Sequence, residues 1–262
     1  MTPSNSTKTA LANGQCAIGT MAFEFASPGL LRIAANAGAD FIILDMEHSG
    51  WGIDTIRQLL ATSHGSGITP LVRVPAILPH LLTLPLDAGA HGLMVPMVET
   101  AEQAQMIATA TRYPPCGRRG SAFGLAHDGY SGGDIVPKML AANERLLLIA
   151  QIETATGVEH VDTIAATEGI DVLWVGHFDL SASLGIPGEF DHPRYRAAVE
   201  KVLQASERHG KAAGIMASDV ATARQHLAAG FRAIAYSADL WIYGTALGTG
   251  IGQIRLPDPA HE

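Results

Sequence analysis

The feature that most constrains the fold is a recurring pattern in which a glycine is followed within three residues by a short apolar run. A glycine at the end of a helix, followed by a run of this kind, is typical of a connection into a buried parallel strand. The pattern occurs in four segments, 38–45, 89–96, 169–176 and 230–237. Further apolar runs at 16–21, 69–74, 146–152 and 212–217 bring the predicted strands to eight.

Helical patterns separate these strands. Thr100 and Gln103 form a capping box ahead of a helix that runs to about Thr111, and residues 53–63 carry apolar side chains at helical spacing. Eight strands alternating with helices in 262 residues predict an α/β protein, a single (β/α)8 barrel over residues 1–262, with 1–14 as a loose N-terminal tail. A doubly wound open sheet is the alternative, although no G-x-G-x-x-G motif follows the first strand.

Charge and composition limit the classes of partner that the protein is expected to bind. A net charge of −8 argues against nucleic acid or an anionic membrane as a partner. No stretch reaches the roughly 20 apolar residues of a membrane helix. The two cysteines, Cys16 and Cys116, lie far apart and do not suggest a disulfide framework, so a cytoplasmic location is expected.

Two of the apolar runs end at a carboxylate. The run from Leu146 ends at Glu153, and the run from Val172 ends at Asp179. These strands are one strand-helix-strand unit apart, so the two carboxylates are expected to stand side by side. Adjacent carboxylates repel each other, and a divalent cation relieves that repulsion. Each carboxylate could instead cap a helix or pair with an arginine.

Other polar residues fall at or near strand ends, where a (β/α)8 barrel carries its active site. Arg73 lies within an apolar strand and requires an anion, either an internal carboxylate such as Glu47 or the carboxylate or oxyanion of a substrate. His48 is either a general base or a structural histidine. His177 could be a neighbour of the metal, a substrate contact or a packing residue.

The four lysines exclude one reaction class. Schiff-base aldolases use a buried lysine at the catalytic rim, and no lysine here ends an apolar strand on that side. The lysines are Lys8, Lys138, Lys201 and Lys211.

Two segments depart from the regular alternation. Residues 113–134 form a long connection, which is either functional or a plain surface excursion. Residues 240–254 combine Trp, Tyr, Leu and Ile on a helical spacing, so this last helix packs either on its own barrel or on a neighbouring subunit.

In combination, six motifs resemble the HpcH/HpaI aldolase family, the class II metal-dependent pyruvate aldolases. The resemblance covers nearly the whole chain, from the first strand to the last helix. The motifs are Asp45-Met-Glu-His48, Leu71-Val-Arg73-Val-Pro75, Gly92-Leu-Met-Val-Pro-Met97, Tyr113-Pro-Pro-Cys-Gly-Arg-Arg-Gly120, Gln151-Ile-Glu-Thr154 and Gly176-His-Phe-Asp-Leu-Ser181.

The resemblance implies a barrel of the phosphoenolpyruvate/pyruvate-binding type. It also implies that the C-terminal helix is exchanged between subunits of a homohexamer, a trimer of dimers. The implied cofactor is a divalent cation, Mg²⁺ or Mn²⁺, with Co²⁺ as a further candidate.

The resemblance also assigns roles to single residues. Glu153 and Asp179 would bind the metal, and His48, supported by Asp87, would transfer protons. The family often has Gly-Pro where this chain has Gly176-His177, so the resemblance does not identify the aldehyde product. The residues expected to contact substrate are Arg73, Gln151, Gly176, His177 and Phe178.

The activity implied is reversible retro-aldol cleavage of a 2-oxo-4-hydroxy acid to pyruvate and an aldehyde. The substrate would be of the 4-hydroxy-2-oxoheptanedioate or the 2-keto-3-deoxy sugar acid type. Three rivals are an acyl-CoA lyase, a decarboxylase of oxaloacetate-like acids and a barrel that binds a metabolite without turnover.

Overall fold

Eight parallel strands close into a barrel in the order β1 to β8, each hydrogen-bonded to its neighbours and β8 to β1. A computed structural model describes residues 5–256. The prediction of a (β/α)8 barrel is confirmed, and the open doubly wound sheet is wrong. The strands are β1 (Ala17–Ala22), β2 (Phe41–Asp45), β3 (Thr69–Arg73), β4 (Gly92–Val95), β5 (Leu147–Ile152), β6 (Val172–Val175), β7 (Ala212–Ala217) and β8 (Ala233–Ala238).

Helices connect consecutive strands. None of the helices within residues 5–256 is long and apolar enough to cross a lipid bilayer. The helices are α1 (Ser6–Ala12), α2 (Leu30–Asn36), α3 (Ile53–Ala61), α4 (Pro79–Asp87), α5 (Ala101–Thr111), α6 (Ile135–Arg145), α7 (Ala155–Glu159), α8 (Val161–Ala165), α9 (His177–Ser183), α10 (Pro193–Arg208), α11 (Val220–Ala229) and α12 (Asp239–Arg255).

The strands build two apolar cores because their side chains alternate between two faces. In β2, Phe41 and Ile43 belong to the cluster inside the barrel, whereas Ile42 and Leu44 belong to the cluster between the barrel and its helices. Asp45, the last residue of β2, continues the inward series. By the same alternation, polar residues of neighbouring strands point into the barrel at the C-terminal ends of the strands.

The N-terminal segment is not a loose tail over its described part, so that expectation is wrong. Residues 6–12 form α1, and the side chain of Asn5 caps it by accepting a hydrogen bond from Lys8 N at 2.9 Å. Asn5 Nδ2 also donates to the carbonyl of Arg145 at 2.9 Å, and Thr7 Oγ1 donates to Thr69 Oγ1 at 2.9 Å. These contacts seat α1 on the N-terminal face of the barrel. Residues 1–4 of the predicted tail lie outside the described residues.

The long connection 113–134 follows α5 and leads through α6 into β5, so it lies at the N-terminal face of the barrel. Tyr113 is fully buried. Arg119 stacks over the Tyr113 ring at 4.6 Å and pairs with Asp87 at 2.6 Å. The connection is therefore anchored on the end of the barrel that is opposite the expected active site.

One histidine at this face should make stability depend on pH. Burial, reinforced by Arg145 and His64, lowers the pKa of His91 to about 3. An unfolded histidine titrates near ~6.5, so below that pH the unfolded state binds a proton that the folded state does not. The contribution of His91 to the free energy of unfolding is therefore fully present above that pH. It is lost as the pH falls toward 3, by at most about 1.4 kcal/mol per pH unit.

We expect the variant His91→Asn to lose about 2 kcal/mol less stability than the parent between pH 7 and pH 5. Urea unfolding at the two pH values measures this difference. An equal loss in parent and variant would contradict the assignment.

Candidate active site

A cavity of about 560 Å³ lies at the C-terminal ends of the strands and contains most of the predicted site residues. His48, Arg73, Gln151 and Asp179 line it together. A larger groove of about 710 Å³ lies outside the barrel between α4 and α5, but its lining brings no pair of carboxylates together. The cavity at the strand ends is therefore the candidate active site.

Arg73 is held by an internal carboxylate that the sequence interpretation did not single out. Asp45 and Arg73 are partners in the β2–β3 register, and Arg73 Nε donates to Asp45 Oδ1 at 2.5 Å. The Asp45 side chain is fully buried. Glu47, which was the expected partner, lies 3.3 Å from Arg73 Nη1. Two carboxylates thus fix the guanidinium, which still faces the cavity.

Asp45 also orders the segment that carries His48. Its Oδ2 accepts hydrogen bonds from the backbone N–H of His48 at 2.7 Å and of Ser49 at 2.8 Å. The His48 side chain is 57 % exposed, and its Nε2 lies 3.8 Å from Glu47 Oε2. One buried carboxylate therefore positions both the Arg73 guanidinium and the backbone that carries His48.

Glu47 lies in a strongly perturbed environment. Burial raises the pKa of Glu47 to about 7, Arg73 opposes that rise, and Asp45 and Asp179 add to it. Glu47 Oε2 is buried and accepts no hydrogen bond from the described residues, although the Arg73 guanidinium is close. Glu47 is thus a carboxyl group whose charged form is disfavoured, next to the predicted metal ligands.

Glu153 is buried at the end of β5 with both carboxylate oxygens engaged. Oε1 accepts the backbone N–H of Met97 at 2.7 Å, and Oε2 accepts Gln151 Nε2. Burial raises the pKa of Glu153, the two donors lower it, and the Glu47 and Asp179 carboxylates raise it further. Met97 adopts a left-handed φ of 54°, which is uncommon for a residue with a side chain.

The oxygen donors at the strand ends suit a hard divalent cation. Asp179 lies in the first turn of α9 and lines the cavity. Its carboxylate is close enough to raise the pKa of both Glu47 and Glu153. Gln151 Oε1 is buried without a hydrogen-bond partner among residues 5–256. Within that range no group of three or more His, Cys, Asp and Glu side chains forms a complete metal site.

Gly176 is required by the position of Glu153. Ile152 pairs with Val175 in the β5–β6 register, so Gly176 lies beside Glu153. A Cβ at Gly176 would lie 2.4 Å from Glu153 Oε2 and 3.1 Å from Gln151 Nε2. Only glycine leaves room for the carboxylate in its present place.

The variant Gly176→Ala should therefore move the Glu153 carboxylate and weaken metal binding by about 10- to 100-fold, the range for disturbing a ligand's support. Isothermal titration with Mn²⁺ measures this change. The control is Gly120→Ala, because a Cβ at Gly120 meets no neighbouring atom within 4 Å, and it should leave the affinity unchanged. Gly185→Ala would not serve, because Gly185 has a positive φ of 74°. Unchanged Mn²⁺ affinity in Gly176→Ala would contradict the assignment.

His177 and Phe178 form an aromatic rim on the cavity. The His177 ring lies 4.3 Å from that of Phe178 and 5.4 Å from that of Phe190. Burial, and to a lesser extent His226, lowers the pKa of His177 to about 4, while Asp179 opposes the change. His177 is therefore a neutral hydrogen-bonding group at neutral pH, next to the exposed Phe178.

The structure does not bring Asp87 to His48 within one chain. Asp87 ends α4, ahead of the first residue of β4, whereas His48 follows the last residue of β2. The two residues are therefore at opposite ends of the barrel, and Asp87 pairs with Arg119. A contact between Asp87 and His48 requires a second subunit.

Sequence reasoning also passed over a residue that shapes the wall of the cavity. The Asp239 carboxylate accepts backbone N–H groups from Phe23 at 3.0 Å, Glu24 at 3.0 Å and Phe25 at 2.7 Å. Phe23 and Glu24 line the cavity. The sequence does not single out Asp239, because a carboxylate that accepts N–H groups from a distant loop leaves no sequence motif.

Comparison with known proteins identifies the family. The family profile described as HpcH/HpaI aldolase/citrate lyase matches residues 21–244. This chain belongs to the HpcH/HpaI aldolase family. The resemblance predicted from the six motifs is confirmed, and the chain is a carbon–carbon lyase of the aldolase type. Aldolases of this family generally depend on a divalent metal ion.

Named relatives and solved structures agree with the family. The chain is 37% identical to the 5-keto-4-deoxy-D-glucarate aldolase of Klebsiella pneumoniae over 92% of this chain and 93% of the relative. It is 36% identical to an HpcH/HpaI aldolase/citrate lyase family protein of Burkholderia cenocepacia, with a TM-score of 0.90 over 97% of this chain and 100% of that one. The HpcH/HpaI aldolase of Desulfitobacterium hafniense is 31% identical, with a TM-score of 0.90 over 95% and 97% of the two chains.

Proposed function

We propose that this HpcH/HpaI aldolase cleaves a 2-oxo-3-deoxy-4-hydroxy sugar acid to pyruvate and a hydroxylated aldehyde. The observation that carries the proposal is one cavity lined by Arg73, Gln151 and Asp179, with the Asp179 carboxylate close enough to act on the charge of the buried Glu153. The 37% identical relative is a 5-keto-4-deoxy-D-glucarate aldolase. Numbered from its keto end, that compound is a 2-oxo-3-deoxy-4-hydroxy acid.

The substrate's 2-oxo acid end binds at Arg73. Asp45 occupies Nε and Glu47 lies near Nη1, so Nη2 is free of partners among the described residues and can donate to the substrate carboxylate or the developing oxyanion. Glu153 and Asp179 would hold the divalent cation, Mg²⁺ or Mn²⁺ with Co²⁺ as a further candidate, which supplies Lewis-acid charge when bound. Gln151 Oε1 accepts a hydrogen bond from the substrate or a water.

His48 transfers the protons. The His48 imidazole takes the proton of the C4 hydroxyl, and the C3–C4 bond breaks. The electron pair of that bond forms the enolate of pyruvate, and the aldehyde leaves. The protonated imidazole then returns a proton to C3 and yields pyruvate. The exposed His48 side chain can reach both positions directly or through one water. Gly176 keeps the space beside Glu153 open, and His177 and Phe178 contact the aldehyde portion.

The decisive experiment is a substrate panel with added Mg²⁺, Mn²⁺ or Co²⁺. Pyruvate is combined with hydroxylated aldehyde acids, succinic semialdehyde and simple aliphatic aldehydes, and aldol addition is followed by loss of the aldehyde. Cleavage of each purified adduct is then followed by pyruvate release. We expect the hydroxylated acids to give the highest kcat/KM, EDTA to abolish turnover and metal to restore it. Activity that survives EDTA, release of carbon dioxide without an aldehyde, dependence on coenzyme A, or no turnover would each contradict the proposal.

The exposed surface of α12 supports assembly into oligomers. None of its residues is buried, and large apolar side chains face outward. An apolar surface of this kind on a helix is typical of a protein interface. We therefore propose that α12 packs on a neighbouring subunit of a homohexamer. The outward-facing side chains are Trp241, Ile242, Tyr243, Leu247, Ile251 and Ile254.

Assembly would also give Asp87 access to His48 of another subunit. The variants His48→Ala and Asp87→Ala should then each lose most activity, and oligomers reassembled from a mixture should regain part of it. Complementation arises because some sites in a mixed oligomer receive neither substitution. Mixed samples with no more activity than the separate variants would contradict the shared site, and Asp191→Ala, an exposed surface variant, serves as the control.

A further inference from the structure

A second cavity, of about 410 Å³, lies at the N-terminal face, at the opposite end of the barrel from the candidate active site. It is bounded by the connection ahead of β3, by the residues just before β4, by the segment 126–134 and by α6. The charged or titratable residues that line it are His64, His91, His127, Asp128, Asp134, Lys138 and Arg145. The proposed aldolase mechanism uses none of them.

Arg145 is the unusual group in this wall. It is 8 % exposed, yet no carboxylate of the described residues lies within 4.0 Å of its guanidinium. Within residues 5–256, its side chain makes one hydrogen bond, from Nη2 to the carbonyl of His127 at 2.9 Å. The buried guanidinium of Arg119, in contrast, has a carboxylate partner at 2.6 Å. A buried cation without a counter-charge is costly, so an anion at this point would be stabilised.

The wall next to Arg145 is basic. Arg145 and His64 are the charged groups that act on His91, and both disfavour its protonation. His91 is therefore neutral at neutral pH and can donate one ring N–H to a ligand. The deep end of the cavity thus combines a fixed positive charge with an imidazole donor.

Neither carboxylate of the cavity forms an ion pair with Arg145. Asp128 favours the charged form of Arg145 from a greater distance, and its Oδ1 is buried without a hydrogen-bond partner among the described residues. Asp128 is engaged by Lys138 Nζ at 2.7 Å and by the backbone N–H of Gly124 at 2.8 Å. Asp134 precedes α6, whereas Arg145 ends it. At a rise of about 1.5 Å per residue, the backbones at those two positions are roughly 16 Å apart. The ring of His127 is held by the carbonyl of Ala122 at 2.7 Å.

We propose that Arg145 and His91 form a binding site for an oxyanion, the carboxylate or phosphate group of a small molecule. The guanidinium presents a planar fork that matches either group. A cavity of this size accepts a small organic anion. Binding here would also stabilise the packing of α1 on the barrel, since Asn5 Nδ2 donates to the carbonyls of both Arg145 and His91. The site does not depend on the proposed aldolase substrate.

Calorimetric titration with inorganic phosphate and, separately, with succinate tests the site and distinguishes the two anion classes. We expect Arg145→Gln to raise the Kd of the preferred anion at least tenfold. The matched control is Arg112→Gln, because Arg112 is also nine-tenths buried but donates to the carbonyls of Ala108 and Gly169, away from this cavity. Its Kd should stay within twofold of the parent value, and Arg73 remains present in every protein compared.

A measurement on the unsubstituted protein covers the case in which Arg145→Gln does not fold. The imidazole resonances of His91, assigned with His91→Asn, should shift on addition of the anion that binds. Equal Kd values for the parent and Arg145→Gln, or His91 resonances that do not respond to either anion, would overturn the proposal.

Discussion

Replacing Glu153 with Gln should lower kcat/KM by about 10³-fold, the scale of removing one preorganised charge from an active site. The buried carboxylate has both oxygens fixed by the Met97 N–H and the Gln151 amide, so the substitution removes charge at a rigid position. Gln has nearly the shape of Glu, so the fold should persist. Pyruvate release and Mn²⁺ titration measure the two effects.

The control for this substitution is Glu159→Gln, which makes the same chemical change at an exposed position at the end of α7. It should leave both kcat/KM and Mn²⁺ affinity at the parent values. If Glu153→Gln bound Mn²⁺ as tightly as the parent, the assignment of Glu153 as a ligand would be wrong.

Replacing Asp45 with Asn should reduce stability and activity together. Arg73 would lose its 2.5 Å partner and keep only Glu47 at 3.3 Å. Breaking a buried ion pair from one side costs about 3 kcal/mol. Asn keeps one acceptor oxygen, so either Arg73 Nε or the N–H groups of His48 and Ser49 must face the amide NH2 instead of an acceptor. The reacting groups are then misplaced, and kcat/KM should fall by about 10²-fold. Urea unfolding and steady-state kinetics measure the two losses.

A double substitution separates the two roles of Asp45. Asp45→Leu combined with Arg73→Met replaces both charges with apolar groups, so the double variant should lose less stability than the sum of the losses of the single variants Asp45→Leu and Arg73→Met. Activity should not recover, because the oxyanion contact is gone. Strictly additive stability losses in the single and double variants would contradict the coupling.

The fold could be predicted because its determinants are local. A glycine with positive φ ends a helix at Gly38, Gly89 and Gly230, and Gly169, also with positive φ, lies in the turn that follows α8; a buried strand follows each of them. The N-terminal helix escaped prediction because its stability depends on distant partners. Asn5 donates to the carbonyl of Arg145, which is 140 residues away, and no local pattern records that contact.

The candidate site was predicted where charge interrupts an apolar run. This rule finds Arg73, Glu153 and Asp179, which line or adjoin one cavity. Asp45 was missed as a positioning residue, although it ends β2 on the same face as Phe41 and Ile43, and the period of two could have indicated it. The place of Asp87 could not be deduced from one chain, because the topology puts it at the other end of the barrel.

The docked helix α1 has a practical consequence for use of the enzyme as a catalyst. Buried Asn5 and Thr7 fix α1 to the N-terminal face of the barrel, while the candidate active-site cavity opens at the C-terminal face. A protein tethered to a solid support through its amino end would therefore present the cavity to the bulk liquid. A tether close to α12 would instead crowd the entrance, because Leu240 and Trp241 form part of its rim.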